Sequence, residues 1–324
     1  MIDANTCCCG GIVLATGTQR LITVDLGGNT ARYDTNSGAS IDTLGTLNGN
    51  GYFDWKNENF YSVLNGATPY IVRISSDLAV ADQIFLTSTT GGRQVLHLAV
   101  NPLLEYIYYS ETRAGASDLR RVNYDGSNDT LLVNYQSTST TPHMRVSKFE
   151  GYVFIGDQLG IKRCDSDGTN LTTIYTSGGP AVRGICVDNE NKYLFWNEVS
   201  GTTTTIKRAA FDGSGVASLI TSIAGVPPLV ASFSGNTPLE VMGWSHKDQL
   251  LYLVLWTGSS LSPDSEYAGL GFYSCRSDGT DLKEVAIDPN ILNDPAGTQH
   301  HSFEDFRYVM GTGFDDVGAT TKAS

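Results

Sequence analysis

Four Asp-Gly pairs, Asp125-Gly126, Asp167-Gly168, Asp212-Gly213 and Asp278-Gly279, sit in matching surroundings and constrain this chain more than any other feature. Six residues before each Asp lies an apolar residue, respectively Leu119, Ile161, Ile206 and Phe272. Four residues before it lies Arg121, Arg163 or Arg208, with Ser274 in the last copy. Another apolar residue follows six or seven positions after the Asp: Leu131, Ile174, Leu219 or Val285. The same ruler extended upstream finds two looser copies, one with Ile71, Arg73 and Asp77, the other with Arg32 and Asn36. From Asn36 to Asp278 the turn positions are 41, 48, 42, 45 and 66 residues apart. The long last interval is accounted for by a loop around Ile223 to Pro238 and a Gly/Ser/Pro-rich insertion from Gly258 to Gly269.

Each unit reads as four short strands. In the third they are His97 to Val100, Tyr106 to Ser110, Leu119 to Tyr124 and Thr130 to Val133. Asp-Gly between the last two predicts a hairpin with a twist-matched two-residue turn, because Asp and Gly accept positive φ. Gly 35 against Pro 10, with abundant Thr and Ser, fits tight turns between β-branched segments. No amphipathic helical period of useful length interrupts them. Four strands repeated at this period are the sequence signature of a β-propeller blade. Six blades of about 45 residues need roughly 270, so the chain is expected to be one all-β, six-bladed propeller of four-stranded antiparallel blades over 11–317. Residues 1–10 and 318–324 are then tails. Closure would pair the C-terminal stretch His301 to Val309 into the first blade beside Gly11 to Ala15, removing exposed sheet edges.

Strand two carries a second fingerprint: Tyr108-Tyr109-Ser110-Glu111, Phe154-Ile155-Gly156-Asp157, Phe195-Trp196-Asn197-Glu198 and Leu255-Trp256-Thr257-Gly258. Followed by Ile-x-Arg-x-x-x-Asp-Gly, it resembles the Tyr-Trp-Thr-Asp six-bladed β-propeller of the low-density lipoprotein receptor family (class B repeats). The resemblance is strongest in units three and five. It implies a propeller fold and a non-enzymatic binding role. Large aromatics such as Tyr109, Trp196 and Trp256 would fill the wedge between adjacent blades. The acid at the end of strand two would meet the strand-three Arg. Arg73, Arg121, Arg163 and Arg208, with Asp125, Asp167, Asp212 and Asp278, are therefore read as structural repeat positions.

No metalloprotease helix, nucleophile elbow, phosphate-binding Gly loop or paired-Cys zinc spacing is present, and no catalytic or metal-ligating set is assigned. His246 falls in a turn, and His300-His301 in a loop where neighbouring side chains point apart. Asp165 to Asn170 looks like half of a calcium loop but lacks its distal Glu and coincides with the repeated turn. A Ca2+ ion in the central channel stays open as an idea, with Asp188 among the strand-one groups that would supply oxygens. Cys164, Cys186 and Cys275 read as small buried residues or a partly paired set. Cys7-Cys8-Cys9 are candidates for interchain disulfides; a free or metal-binding tail, lipidation or no role are the alternatives. Asn128-Asp129-Thr130 and Asn170-Leu171-Thr172 are glycosylation triplets on turns.

Charged residues are 17% of the chain, and 21 basic against 34 acidic residues give a net charge of −13. That field repels nucleic acid and anionic membrane. The longest apolar run, Leu250 to Trp256, is far short of the ~20 residues of a spanning helix, and no signal peptide is readable. Two functions compete. One is a non-enzymatic structural or interaction propeller, binding a protein or glycan or assembling with itself as a fibre or tail component, outside a cell or on a virion surface. The other is a propeller hydrolase or lactonase with a divalent cation on its axis.

Overall fold

The computed structural model describes residues 20–24, 29–34, 40–46, 51–54, 57, 59–64, 69–75, 81–86, 94–113, 116–135, 143–157, 159–200, 203–221, 239–245, 249–255 and 271–284. All regular structure in them is β. They form two compact units.

The first unit holds three sheets. β1 (Arg20–Val24), β2 (Asn29–Asp34) and β3 (Ser40–Thr46) make a three-stranded sheet. β4 (Gly51–Asp54), β5 (Asn59–Leu64), β6 (Tyr70–Ser75) and β7 (Ala81–Phe85) make a four-stranded one. So do β8 (Gln94–Asn101), β9 (Tyr106–Arg113), β10 (Ala116–Asn123) and β11 (Thr130–Tyr135). Arg32 lies on β2 and Arg73 on β6, so the ruler that places Arg on strand three makes β1 to β3 the second to fourth strands of their unit. Gly11 to Ala15 and His301 to Val309 lie outside the described residues, as do both long loops.

The second unit holds three more sheets, each of four strands. One is β12 (His143–Val146), β13 (Val153–Asp157), β14 (Gly160–Cys164) and β15 (Thr172–Thr176). The next is β16 (Ala181–Asp188), β17 (Tyr193–Ser200), β18 (Thr203–Ala210) and β19 (Ala217–Ile220). The last is β20 (Leu239–Ser245), β21 (Leu250–Leu255), β22 (Gly271–Cys275) and β23 (Lys283–Glu284). Every sheet is an antiparallel meander in chain order. Within this unit β16 packs beside both β12 and β20, so the first strands of successive sheets converge; β4 and β8 do the same in the first unit.

The consecutive aromatics of strand two explain how sheets stack. Successive residues of a strand point to opposite faces. Trp196 therefore joins a core with Phe154 and Ile161 of the preceding sheet and Val182 of its own, and its ring packs 4.8 Å from that of Tyr175. Phe195, one residue earlier, faces the following sheet, stacked 5.3 Å from Trp244 in a core with Leu251, Leu253 and Cys275. Both rings are fully buried, and side chains of this size each contribute about 2–3 kcal/mol of burial free energy.

The strand-three to strand-four hairpin differs from expectation. The amide of Gly126 donates to the Asn123 carbonyl at 2.9 Å, so Tyr124 and Asp125 are the central residues of a four-residue turn. Gly126 follows alone in the left-handed region at φ 82°; Gly213 and Gly279 repeat this at 85° and 81°. The Asp is thus freed for a second task. Its Oδ1 accepts the amide and hydroxyl of the residue two positions on, Thr169 at 2.9 and 2.6 Å for Asp167 and Thr280 at the same distances for Asp278. Such carboxylate-capped turns are why Asp is favoured there over other residues. The Asp165 to Asn170 segment is this turn, with Asn170 Nδ2 donating to Asp165 at 2.7 Å.

Candidate functional site

The repeat brings three groups together at the start of strand two. Arg121 stacks 4.2 Å over the Tyr106 ring, Arg163 4.5 Å over Tyr152 and Arg208 4.5 Å over Tyr193. In the second unit the guanidinium also crosses to the next sheet's turn. Arg163 Nη1 donates to the Phe211 carbonyl at 3.1 Å, and Arg208 Nη1 to Ser277 at 2.8 Å. The carboxylates following those carbonyls, Asp212 and Asp278, are held below the usual Asp range, first by the Ser214 and Thr280 hydroxyls and amides and then by Arg163 and Arg208. Arg73 lies opposite Tyr61 across β5 and β6.

The acid at the end of strand two does not meet this Arg in the second unit. It pairs with the cation one residue earlier: Asp157 with Lys162 at 3.0 Å, and Glu198 with Lys207 at 2.7 Å. Strand parity is the reason. Lys207 sits opposite Trp196 and shares a face with Glu198, while Arg208 sits opposite Phe195 and points the other way. Tyr175 completes the cluster, its hydroxyl accepting from Lys207 Nζ at 2.8 Å. Burial works against the Lys207 ammonium, but the bonds to Glu198 and Tyr175 outweigh it and raise its pKa; burial first, then Glu198, raises that of Tyr175. In the first unit the equivalent cation, Arg120, turns to Asp129 at 3.1 Å and to the Tyr109 hydroxyl at 3.0 Å, and Tyr109 donates to Asp129 at 2.7 Å.

The Asp188 carboxylate is buried and closes its own hairpin, accepting the amides of Glu190 and Asn191 at 3.0 Å and the Asn191 side chain at 2.8 Å. Cys164, Cys186 and Cys275 are buried and, among the described residues, joined by no disulfide; burial followed by the Asp278 charge pushes the Cys275 thiol up to about 12. Among the described residues no three metal-ligating side chains converge. Trp256, Cys7, Cys8, Cys9, His246, His300 and His301 lie outside the described residues.

Two repeated positions escaped sequence reasoning. The residue three after the turn Asp is left-handed in every described copy: Asn128 and Asn170 at φ 56°, Gly215 at 66° and Asp281 at 60°. Asn, Gly and Asp tolerate that backbone, so the column was readable. A residue one or two positions before strand two is left-handed as well, as Glu105, Gly151, Lys192 and Gln249. Its side chains carry no common signal. In the first unit this region opens into a groove of about 510 Å³ lined by Tyr106, Arg121 and the turn that follows.

No family model matches this chain, and no curated protein matches its sequence. Solved structures do. The chain is similar to a chain of the nidogen–laminin complex at 13% identity, covering 82% of this chain and 92% of that one with a TM-score of 0.55. It is also similar to an oligogalacturonate lyase in complex with manganese, at 13% identity over 80% of this chain and 70% of that one, TM-score 0.55. TolB from Acinetobacter baumannii matches at 12% identity over 82% and 64%, TM-score 0.56. These are propellers. The chain has the β-propeller fold, and at such identities the likeness shows the fold alone.

Proposed function

We propose that this chain is a six-bladed propeller over residues 11–317, closed by pairing of its C-terminal stretch with the first blade, and that it works as a non-catalytic binding or structural module outside a cell or on a virion. The observation that carries this reading is how the repeat uses its charged groups. Asp157, Asp188, Glu198, Arg163, Lys207 and Arg208 are bonded to their own sheet or to the next one, which suits a scaffold and not a site of chemical turnover. Nidogen, solved in complex with laminin, offers a parallel for a propeller that meets a protein partner. Protein or glycan ligands and self-assembly, with Cys7 to Cys9 linking copies, are the modes this module would use.

The second reading, a metal-dependent propeller enzyme, is favoured by the likeness to a lyase solved with manganese. One set of measurements separates them. Metal analysis of the purified chain is expected to find no stoichiometric calcium or manganese, and electron micrographs to show six-lobed rings or assemblies of them. One tightly held divalent ion per chain, with turnover lost on its removal, would replace the first reading by the second. Electrophoresis with and without reductant tests the tail: a monomer band in both ends the crosslinking proposal.

A further inference from the structure

Charge is sorted between the two ends of the sheets in the second unit. In an antiparallel meander the turns joining strands one to two and three to four lie at one end, and the two-to-three turn and the connections between sheets at the other. The turns at 147–152, 165–171, 189–192, 211–216, 246–249 and 276–282 hold 12 Asp, Glu, Lys or Arg residues in 34 positions, 8 of them acids. The segments at the other end, 158–159, 177–180, 201–202, 221–238 and 256–270, hold 2 in 41, the rest being mostly Ser, Thr, Gly, Pro and apolar residues. Successive sheets are aligned, since Arg163 and Arg208 each reach the charged-end turn of the next sheet, at Phe211 and Ser277. The charge-poor ends therefore share the opposite side of the unit.

The acids nearest that side are withdrawn from it. Asp157 and Glu198, late in strand two, are buried and neutralised by Lys162 at 3.0 Å and Lys207 at 2.7 Å. Asp157 also accepts the Leu159 amide at 2.7 Å, so a hidden carboxylate fixes the hairpin while Leu159 remains 50% exposed. The Leu159 carbonyl accepts the Ser177 amide at 3.1 Å, which joins this hairpin to the exposed Thr176 and to Gly178 and Gly179, where an added Cβ would meet open space.

We infer that this charge-poor end is the face by which the chain meets a second copy of itself. Free surfaces of soluble proteins keep charge for solubility, whereas the core of a protein interface is depleted in Asp, Glu and Lys. The occupant follows from the sign of the remaining charge. A basic partner would be drawn to the acidic turns, and two copies at −13 each repel wherever those turns meet. An isologous contact through the charge-poor end joins the copies and keeps their acidic turns on the outer sides. Self-association of this kind rests on the binding or structural reading, names its mode, and does not use Cys7 to Cys9.

Sedimentation velocity of the full chain in reductant, from about 1 to about 100 µM, tests it. The parent is expected to pass from monomer towards dimer over that range, with a dissociation constant of about 100 µM or tighter. Leu159→Glu with Thr176→Glu should weaken the dimer about tenfold or more. Leu171→Glu with Val216→Glu, at exposed sites of the charged turns, should leave it within about twofold of the parent. Raising NaCl from about 50 to about 500 mM should hold or strengthen the dimer, because salt screens the repulsion of two acidic copies. Circular dichroism checks that each variant folds; if the first does not, Thr176→Glu alone is used, with a smaller loss expected. A parent still monomeric at about 100 µM, equal weakening by the two variants, or a dimer that salt dissolves would overturn the inference. Those failures leave the module reading to its own metal and micrograph tests.

Discussion

Two kinds of hairpin use the same carboxylate chemistry in opposite surroundings. At the strand-one to strand-two turn, the Asp188 carboxylate is buried and accepts the Glu190 and Asn191 amides from inside the fold. At the strand-three to strand-four turn, Asp212 bonds Ser214 in the open. The exposed carboxylate can exchange its bonds for water; the buried one cannot. A side chain that looks interchangeable in sequence is therefore costly to lose in one place and cheap in the other. Neighbouring turns of the buried kind also lean on each other, since Asn189 accepts the Lys148 amide of the preceding sheet at 2.8 Å.

The largest effect is expected from Asp188→Ala, which removes a buried acceptor of three hydrogen bonds and should lower unfolding free energy by about 3 kcal/mol in urea titrations. A loss no greater than that of Asp212→Ala would erase the distinction between the two hairpins. Gly213→Ala comes next. An added Cβ there would fall on the Ile174 carbonyl oxygen, on top of a backbone cost of about 1–2 kcal/mol, whereas Gly215→Ala has open space and only the backbone cost. Equal melting temperatures for the two variants would show that the close approach to β15 does not constrain the turn.

Acid titration is the subtlest comparison. Hydrogen bonds from the residue two positions on lower the pKa of Asp125, Asp167, Asp212 and Asp278. A carboxylate depressed in the folded state stabilises it above the unfolded pKa of about 3.9 and loses that contribution as pH falls through the folded value. Changing all four to Asn should flatten the melting-temperature profile below about pH 4 and leave its shape at neutral pH unchanged. An acid limb identical to the parent's would show that these four turns do not set the acid sensitivity.

The sequence made the repeat legible because its turns need particular residues: Gly126 and its equivalents hold a backbone that other residues resist, and the Asp beside each is an acceptor in the right place. The pairing of charges was less legible. Arg163 and Lys162 are neighbours in sequence, yet one crosses to the next sheet's turn and the other stays with Asp157, a choice fixed by strand parity and not by residue type. Glu105 and Lys192 adopt left-handed backbone with no sequence cue, because tertiary closure of the hairpin imposes it.

Phe195 and Trp196 reach in opposite directions, so the β16 to β19 sheet owns neither of its two hydrophobic interiors outright. Its thermodynamics should follow nearest-neighbour coupling: a fragment holding this sheet alone would expose both aromatic faces and stay unfolded. Damage at Trp196 would lower amide protection in β13 and β14 as well as in β17, while damage at Phe195 would spread the other way, to β21.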